Sequence, residues 1–171
     1  MRILIFSSSL IILVLLSACH PISKTAFAIY LLDNEDLSGV DILGKDIAGL
    51  TPQDDPLISE QDILSYDPTS HTIELTSAAY QRVQAIFPLP VRVDGIPFVV
   101  YAAGEPIYAG AFWTPLSSLS YNGIVILEPM DPQSNSIRID LGYPGPDFYL
   151  GDDPRDNPRV VSSLRAAGKL K

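Results

Sequence analysis

Phe98-Val-Val-Tyr-Ala-Ala-Gly-Glu-Pro-Ile-Tyr-Ala-Gly-Ala-Phe-Trp113 is the stretch that decides the fold. It reads as two strands joined by a tight turn at Ala102-Ala103-Gly104. Glycine enters the positive-φ region without steric cost, so Gly104 closes a short hairpin loop with the right twist. Val99, Val100, Tyr101, Ile107, Tyr108, Phe112 and Trp113 are β-branched or aromatic, the types that fit a pleated surface. Neither strand alternates apolar with charged residues, which predicts a hairpin buried on both faces at the centre of a sheet.

Downstream, Thr114 to Asn122 reads as a loop, Asn122-Gly123 as a turn and Ile124–Leu127 as a buried strand. Ile137, Ile139 and Leu141 alternate with Arg138 and Asp140, the pattern of a half-exposed last strand. Asn157-Pro158 opens a helix that carries Val160, Val161, Leu164 and Ala167 on one face and stops at Gly168. Upstream, Ser77 is the expected cap of a helix reaching Phe87, with Tyr80, Val83 and Phe87 facing the core. Thr72–Thr76 is a strand. Ser59-Glu60-Gln61-Asp62 has the form of a capping box, which predicts a short helix ending before Asp67-Pro68. Ala26–Leu32 is a first strand. Leu37–Ile58 is irregular, with Val40, Ile42, Leu43, Ile47 and Leu50 as contacts to the core. The expectation is a single α+β domain over 26–171, with a mostly antiparallel sheet of about six strands and two or three helices.

Twenty acidic residues face eleven basic ones. All twenty acids lie after Cys19 and one base is Arg2, so the chain beyond Cys19 carries ten bases and a net charge of −10. Nucleic-acid binding needs a basic footprint, and there is none. Ten of the acids fall between Asp33 and Asp67 beside a single base, Lys45. That segment reads as an exposed loop region wrapped around the sheet rather than a second core.

Candidate chemistry is sparse. His71 is the sole histidine of the body, near Tyr66, Asp67 and Ser70, and a histidine beside a carboxylate can act as a general base. The competing reading is a polar residue finishing a turn, its ring bonded to backbone. Ser117, Ser118 and Ser120 offer hydroxyls but lack the Gly-x-Ser-x-Gly elbow of an activated nucleophile. Asp33-Asn34-Glu35-Asp36 and Asp152-Asp153 with Asp156-Asn157 supply hard oxygens of the kind calcium takes, without the spacing of a twelve-residue loop. No metal site is assigned and no cofactor is expected. Tyr101, Tyr108, Phe112 and Trp113 are either pocket-lining aromatics or core.

At the amino terminus, Arg2 precedes apolar runs at Ile3–Phe6 and Leu10–Leu16. Ile3–Ala18 spans sixteen residues, short of the roughly 20 that cross a bilayer core. Residues 1–18 thus have the layout of a secretory signal peptide. It ends in Leu16-Ser17-Ala18-Cys19, which resembles the lipobox of bacterial lipoproteins, and Cys19 is the only cysteine. The resemblance implies a diacylglyceryl group on the Cys19 sulfur, cleavage before Cys19 and acylation of the new terminus. His20, not aspartate, follows, which under the enteric sorting rule implies the outer membrane where the cell has one. Residues 20–25 are then a polar tether reaching at most about 20 Å.

Two further resemblances concern the body. Tyr66-Asp67, Thr69, His71-Thr-Ile-Glu-Leu-Thr76, Pro97-Phe-Val-Val100 and Gly110-Ala-Phe-Trp113 are similar to a family of uncharacterised exported bacterial proteins. Ile73-Glu-Leu-Thr76, the following helix, Pro97–Val100, Gly104-Glu105 and Ile107 resemble the head region of the large extracytoplasmic domain of SecD, over about 72–127. Without a transmembrane bundle the translocase role does not carry over. What the likeness implies is a surface for polypeptide. The expected function is a lipid-anchored extracytoplasmic binding or accessory protein of the cell envelope, non-catalytic, held to the membrane through Cys19 and meeting a protein or peptide partner. The alternatives are a hydrolase using His71 with a nearby serine or carboxylate, and a calcium-dependent interaction module.

Overall fold

The computed structural model describes residues 27–131 and 133–171. The leader, Cys19, the tether and Ala26 lie outside the described residues. Eight strands and two helices make up the body: β1 (Phe27–Leu31), β2 (Ile58–Ser59), β3 (Ile63–Asp67), β4 (Thr72–Leu75), α1 (Ser77–Ala85), β5 (Ile96–Ala102), β6 (Glu105–Trp113), β7 (Tyr121–Leu127), β8 (Ser136–Tyr143) and α2 (Pro158–Ala166). The fold is α+β. All eight strands join one sheet in the order β2-β1-β5-β6-β7-β8-β4-β3, antiparallel throughout except for β6 and β7. The sheet curls, and its two edge strands are neighbours in sequence: β2 ends at Ser59 and β3 begins at Ile63.

The count of about six strands is corrected to eight, and the cause is local. The Ser59–Asp62 box does form, with Asp62 accepting from both the Ser59 amide and its hydroxyl. It holds only one 3-10 turn, Glu60–Asp62, and no helix follows. Ile63 and Tyr66 are buried while Leu64 is exposed, so the next residues gain more as a strand against β4 than as a helix. The box is therefore the corner that carries the chain from one sheet edge to the other. The cap of α1 is Thr76, whose hydroxyl accepts from the Ala79 amide, and Ser77 is the first helical residue. Asn122-Gly123 is not a turn: both residues lie inside β7, at a register shift opposite β8. Asn157 caps α2 as read, and Gly168 ends it at φ +68°.

β5 and β6 stand third and fourth of eight in the sheet. Their loop is Ala103-Gly104, both at positive φ, the conformation whose twist matches two antiparallel strands. Alternation sends Phe98, Val100, Tyr108 and Phe112 to the inner face, with Phe27, Ile29, Ile73, Ile126 and Ile139, over which α1 lays Tyr80 and Val83 and α2 lays Val160 and Leu164. Val99, Ala111 and Trp113 point the other way. Val99 packs with Leu32 and, from the acidic segment, with Ile42 and Leu50, and Ala111 and Trp113 pack with Tyr121 and Val125. The acidic segment thus lines a small outer-face cluster while leaving Val40 and Leu43 partly exposed. Phe98, Val99, Val100, Ala111, Phe112 and Trp113 are all fully buried, so the hairpin is packed on both faces. Gly110 lets β7 approach: a Cβ there would stand 2.5 Å from the Ile124 carbonyl oxygen and 2.6 Å from the Phe98 ring.

Strand direction divides the molecule into two ends. β1, β4, β6 and β7 run one way and β2, β3, β5 and β8 the other. One end holds Phe27, the 103–104 turn and the β3–β4 turn. The opposite end holds the loops at 33–37, 86–95, 114–117 and 128–135.

Candidate functional site

His71 closes the β3–β4 turn. Asp67 organises that turn, its carboxylate accepting from the Thr69 amide at 2.9 Å and the Ser70 hydroxyl at 3.0 Å. His71 then adopts φ +53°, a left-handed conformation that histidine tolerates better than most residues. This aims its ring inward, where it is 7% exposed, with Nδ1 2.8 Å from the Tyr66 hydroxyl. Burial, and next the Arg155 charge, hold the His71 pKa below the usual histidine value, against the opposite pull of Asp156, Asp153 and Asp67. Burial pushes the Tyr66 phenol up to about 12. At neutral pH the pair is therefore uncharged. With the His71 proton on Nε2, the Tyr66 hydroxyl donates to Nδ1.

Arg155 stands beside this pair. Its guanidinium forks onto the Asp153 carboxylate at 2.9 and 2.7 Å and donates to the Ile139 carbonyl at 2.8 Å. Ile139 in turn donates its amide to the His71 carbonyl. The Arg155 bonds hold the Asp153 carboxyl below its ordinary pKa. The arrangement is a buried neutral Tyr–His pair next to a satisfied ion pair. Among the described residues, surface hollows of about 330 to 480 Å³ lie at four places that His71 does not line. The one of about 480 Å³ is polar, on the outer side of β3, β4 and β8, with Asp67, Ser70, Thr72 and Glu74 in its wall.

The other sequence candidates do not converge on His71. Ser117 donates to the Val93 carbonyl at 2.6 Å and accepts from the Leu119 amide, which fixes its loop; Ser118 and Ser120 are exposed. Tyr108 and Phe112 are on the inner face. Tyr101 is on the outer face edge-on to Tyr30 at 5.3 Å, and Trp113 is stacked on Tyr121 at 4.8 Å. The four aromatics thus divide between two faces and share no pocket. At the first acidic cluster the carbonyls of Glu35 and Asp36 accept from Arg92, so a guanidinium already supplies positive charge there. In the second, Asp153 is held by Arg155, and Asn157 caps α2 by accepting from the Arg159 amide. Among the described residues no three His, Cys, Asp or Glu side chains are grouped to hold a metal ion. Cys19 lies outside the described residues.

Two features went unread in the sequence. Arginines pair with aspartates two residues away at Arg92–Asp94, Arg138–Asp140 and Asp153–Arg155, a spacing visible in the primary structure. Leu89, Leu116 and Met130, 88%, 72% and 68% exposed, each stand next to a proline on a loop at the end opposite Phe27. A hollow of about 410 Å³ opens there between the end of β1 and the end of α1, walled by Leu31, Leu37, Ile86, Pro88, Pro90 and Ile96. No family model, curated protein or solved structure matches this chain.

Proposed function

We propose that this chain is a lipid-anchored extracytoplasmic binding or accessory protein of the bacterial cell envelope, without catalysis of its own. The observation that carries this reading is Leu16-Ser17-Ala18-Cys19, which closes the apolar leader begun at Ile3 and contains the chain's only cysteine. Two or more acyl chains at Cys19 anchor stably, where one gives only marginal membrane binding. The chain beyond Cys19 carries a net −10 and is repelled by an anionic leaflet, so the lipid must do the holding. Among the described residues no helix is long and apolar enough to cross a membrane, which is compatible with attachment through lipid. The pairing of the buried His71 ring with Tyr66, turned away from the polar hollow that its neighbours Ser70 and Thr72 line, supports a non-catalytic reading. A hydrolase needs convergent polar groups around a cleft.

The test is Cys19→Ser in the full chain. Palmitate labelling and membrane fractionation should both be lost, leaving unprocessed or soluble protein. A Cys19→Ser protein that is processed and fractionates with membranes like wild type overturns the anchor.

A further inference from the structure

We propose that the loop-bearing end of the sheet, opposite Phe27, is a docking surface for an extended apolar polypeptide segment flanked by basic residues. The surface has a floor and a lip. The floor is the hollow between β1 and α1, walled by Leu31, Leu37, Ile86 and Ile96, with Glu35 and Arg92 at its polar side. The lip is Leu89, with Val93, Leu116 and Met130 on the same end. Ser117 ties the loop of Leu116 to that of Val93 through its bond to the Val93 carbonyl. Gln84 and Tyr80 of α1 tie down the loop of Met130 through the carbonyls of Pro129 and Asp131. Leu89 lies between Pro88 and Pro90, Leu116 follows Pro115, and Met130 follows Pro129. Proline fixes φ, so these side chains are presented on stiff loops that lose little freedom when covered.

Charge selects the flanks. The loops at 33–37, 86–95, 114–120 and 128–135 carry six acids and one base. That base, Arg92, is already bound to Asp94 and to the carbonyls of Glu35 and Asp36. Carboxylates around an apolar floor favour a partner with lysine or arginine beside its apolar residues. The position of Phe27 argues against the chain's own membrane as occupant. The chain enters the fold at the far end, and the acidic body is repelled by anionic lipid. The tether His20–Thr25 is too polar to fill the floor itself. This orientation rests on the anchor proposed above, whereas the floor and lip do not.

The experiment uses the full lipidated protein in phosphatidylcholine nanodiscs and three fluorescent decapeptides. The first has a six-residue Leu/Val/Ala core with two lysines at each end. The second has the same core with aspartates, and the third has lysines around a Ser/Gly core. Anisotropy, read against empty nanodiscs, should show saturable binding of the first peptide alone. Leu89→Asp and Leu116→Asp should each weaken it about tenfold or more. Leu150→Asp, equally exposed but at the Phe27 end, should leave it unchanged, and circular dichroism should be the same for all three variants. Equal binding of the lysine-flanked Ser/Gly peptide reduces the effect to bulk electrostatics and overturns the proposal. So does binding that ignores Leu89 and Leu116. Absence of peptide binding, with a dimer by light scattering that Leu89→Asp dissolves, assigns the surface to a second copy and also overturns it. Repeating the titration on Cys19→Ser protein separates the two proposals. Retained peptide binding beside retained membrane attachment sinks the anchor alone, and a normally lipidated wild type that fails to bind the first peptide sinks the docking surface alone.

Discussion

The β5–β6 and β3–β4 hairpins both turn through a non-glycine residue at positive φ, Ala103 at 55° and His71 at 53°. They are held in place by different forces. β5–β6 sits mid-sheet, and Phe98, Val99, Val100, Ala102, Ala111, Phe112 and Trp113 are fully buried on its two faces, so apolar packing supplies its stability. β3 is an edge strand. Its outer side is covered by the carboxy terminus, where Tyr66 donates its amide to the Lys169 carbonyl and accepts from the Lys171 amide. Its inner side is pinned by the Tyr66–His71 bond. The centre is held by area, and the edge by a few specific hydrogen bonds, some to residues a hundred positions away.

The largest effect should fall at the centre. Phe112 is fully buried, edge-on to Phe87 and tilted against Phe98. Phe112→Ala should cost about 3–5 kcal/mol through lost transfer energy and an unfilled cavity. Leu116→Ala, on an exposed side chain, should stay within about 0.5 kcal/mol. Urea unfolding with unchanged m-values measures both. Similar midpoints for the two variants would mean that the hairpin is peripheral.

At the edge, Tyr66→Phe should cost about 1–3 kcal/mol, because it leaves the buried His71 Nδ1 without a partner. A loss near zero would show that the pair contributes nothing to the hairpin. Smaller still is the pH effect. Folding lowers the His71 pKa, so the folded state binds its proton less readily than the unfolded chain. The stability tied to neutral His71 is present above the unfolded value of about 6.5 and is lost as pH falls through the folded value. The lowered carboxylates Asp41, Asp62, Asp67, Glu74 and Asp153 act in the same direction but only at more acidic pH. Urea midpoints should therefore fall from about pH 7 to about pH 5, and His71→Asn, which also tolerates the left-handed backbone, should flatten that slope. An equal slope in His71→Asn assigns the titration elsewhere.

The same contrast explains what could be read from the sequence. The central hairpin was legible because its determinants are local: Gly104 in the turn and unbroken β-branched and aromatic runs on either side. β3 was not, because the Ser59–Asp62 box is a true local signal that forms one turn and stops. What overrides it is pairing with β4 and with Leu170, far along the chain. Asn122-Gly123 misled for a similar reason, since the Asn122 carbonyl accepts from Leu150 and β7 simply shifts register there. Around His71, Tyr66 and Asp67 were visible as sequence neighbours. Arg155, which the fold brings alongside from the far side of β8, was not.

Native-state hydrogen exchange tests the contrast between centre and edge most directly. Amides of Val99, Val100, Ala111 and Phe112 should exchange only by global unfolding, while those of Tyr66, Ile73 and Lys171 should open at a lower free energy as one local unit. Tyr66→Phe should lower the second group and leave the gap between them wider. Equal protection of both hairpins, or slower exchange at β3–β4, would contradict the account.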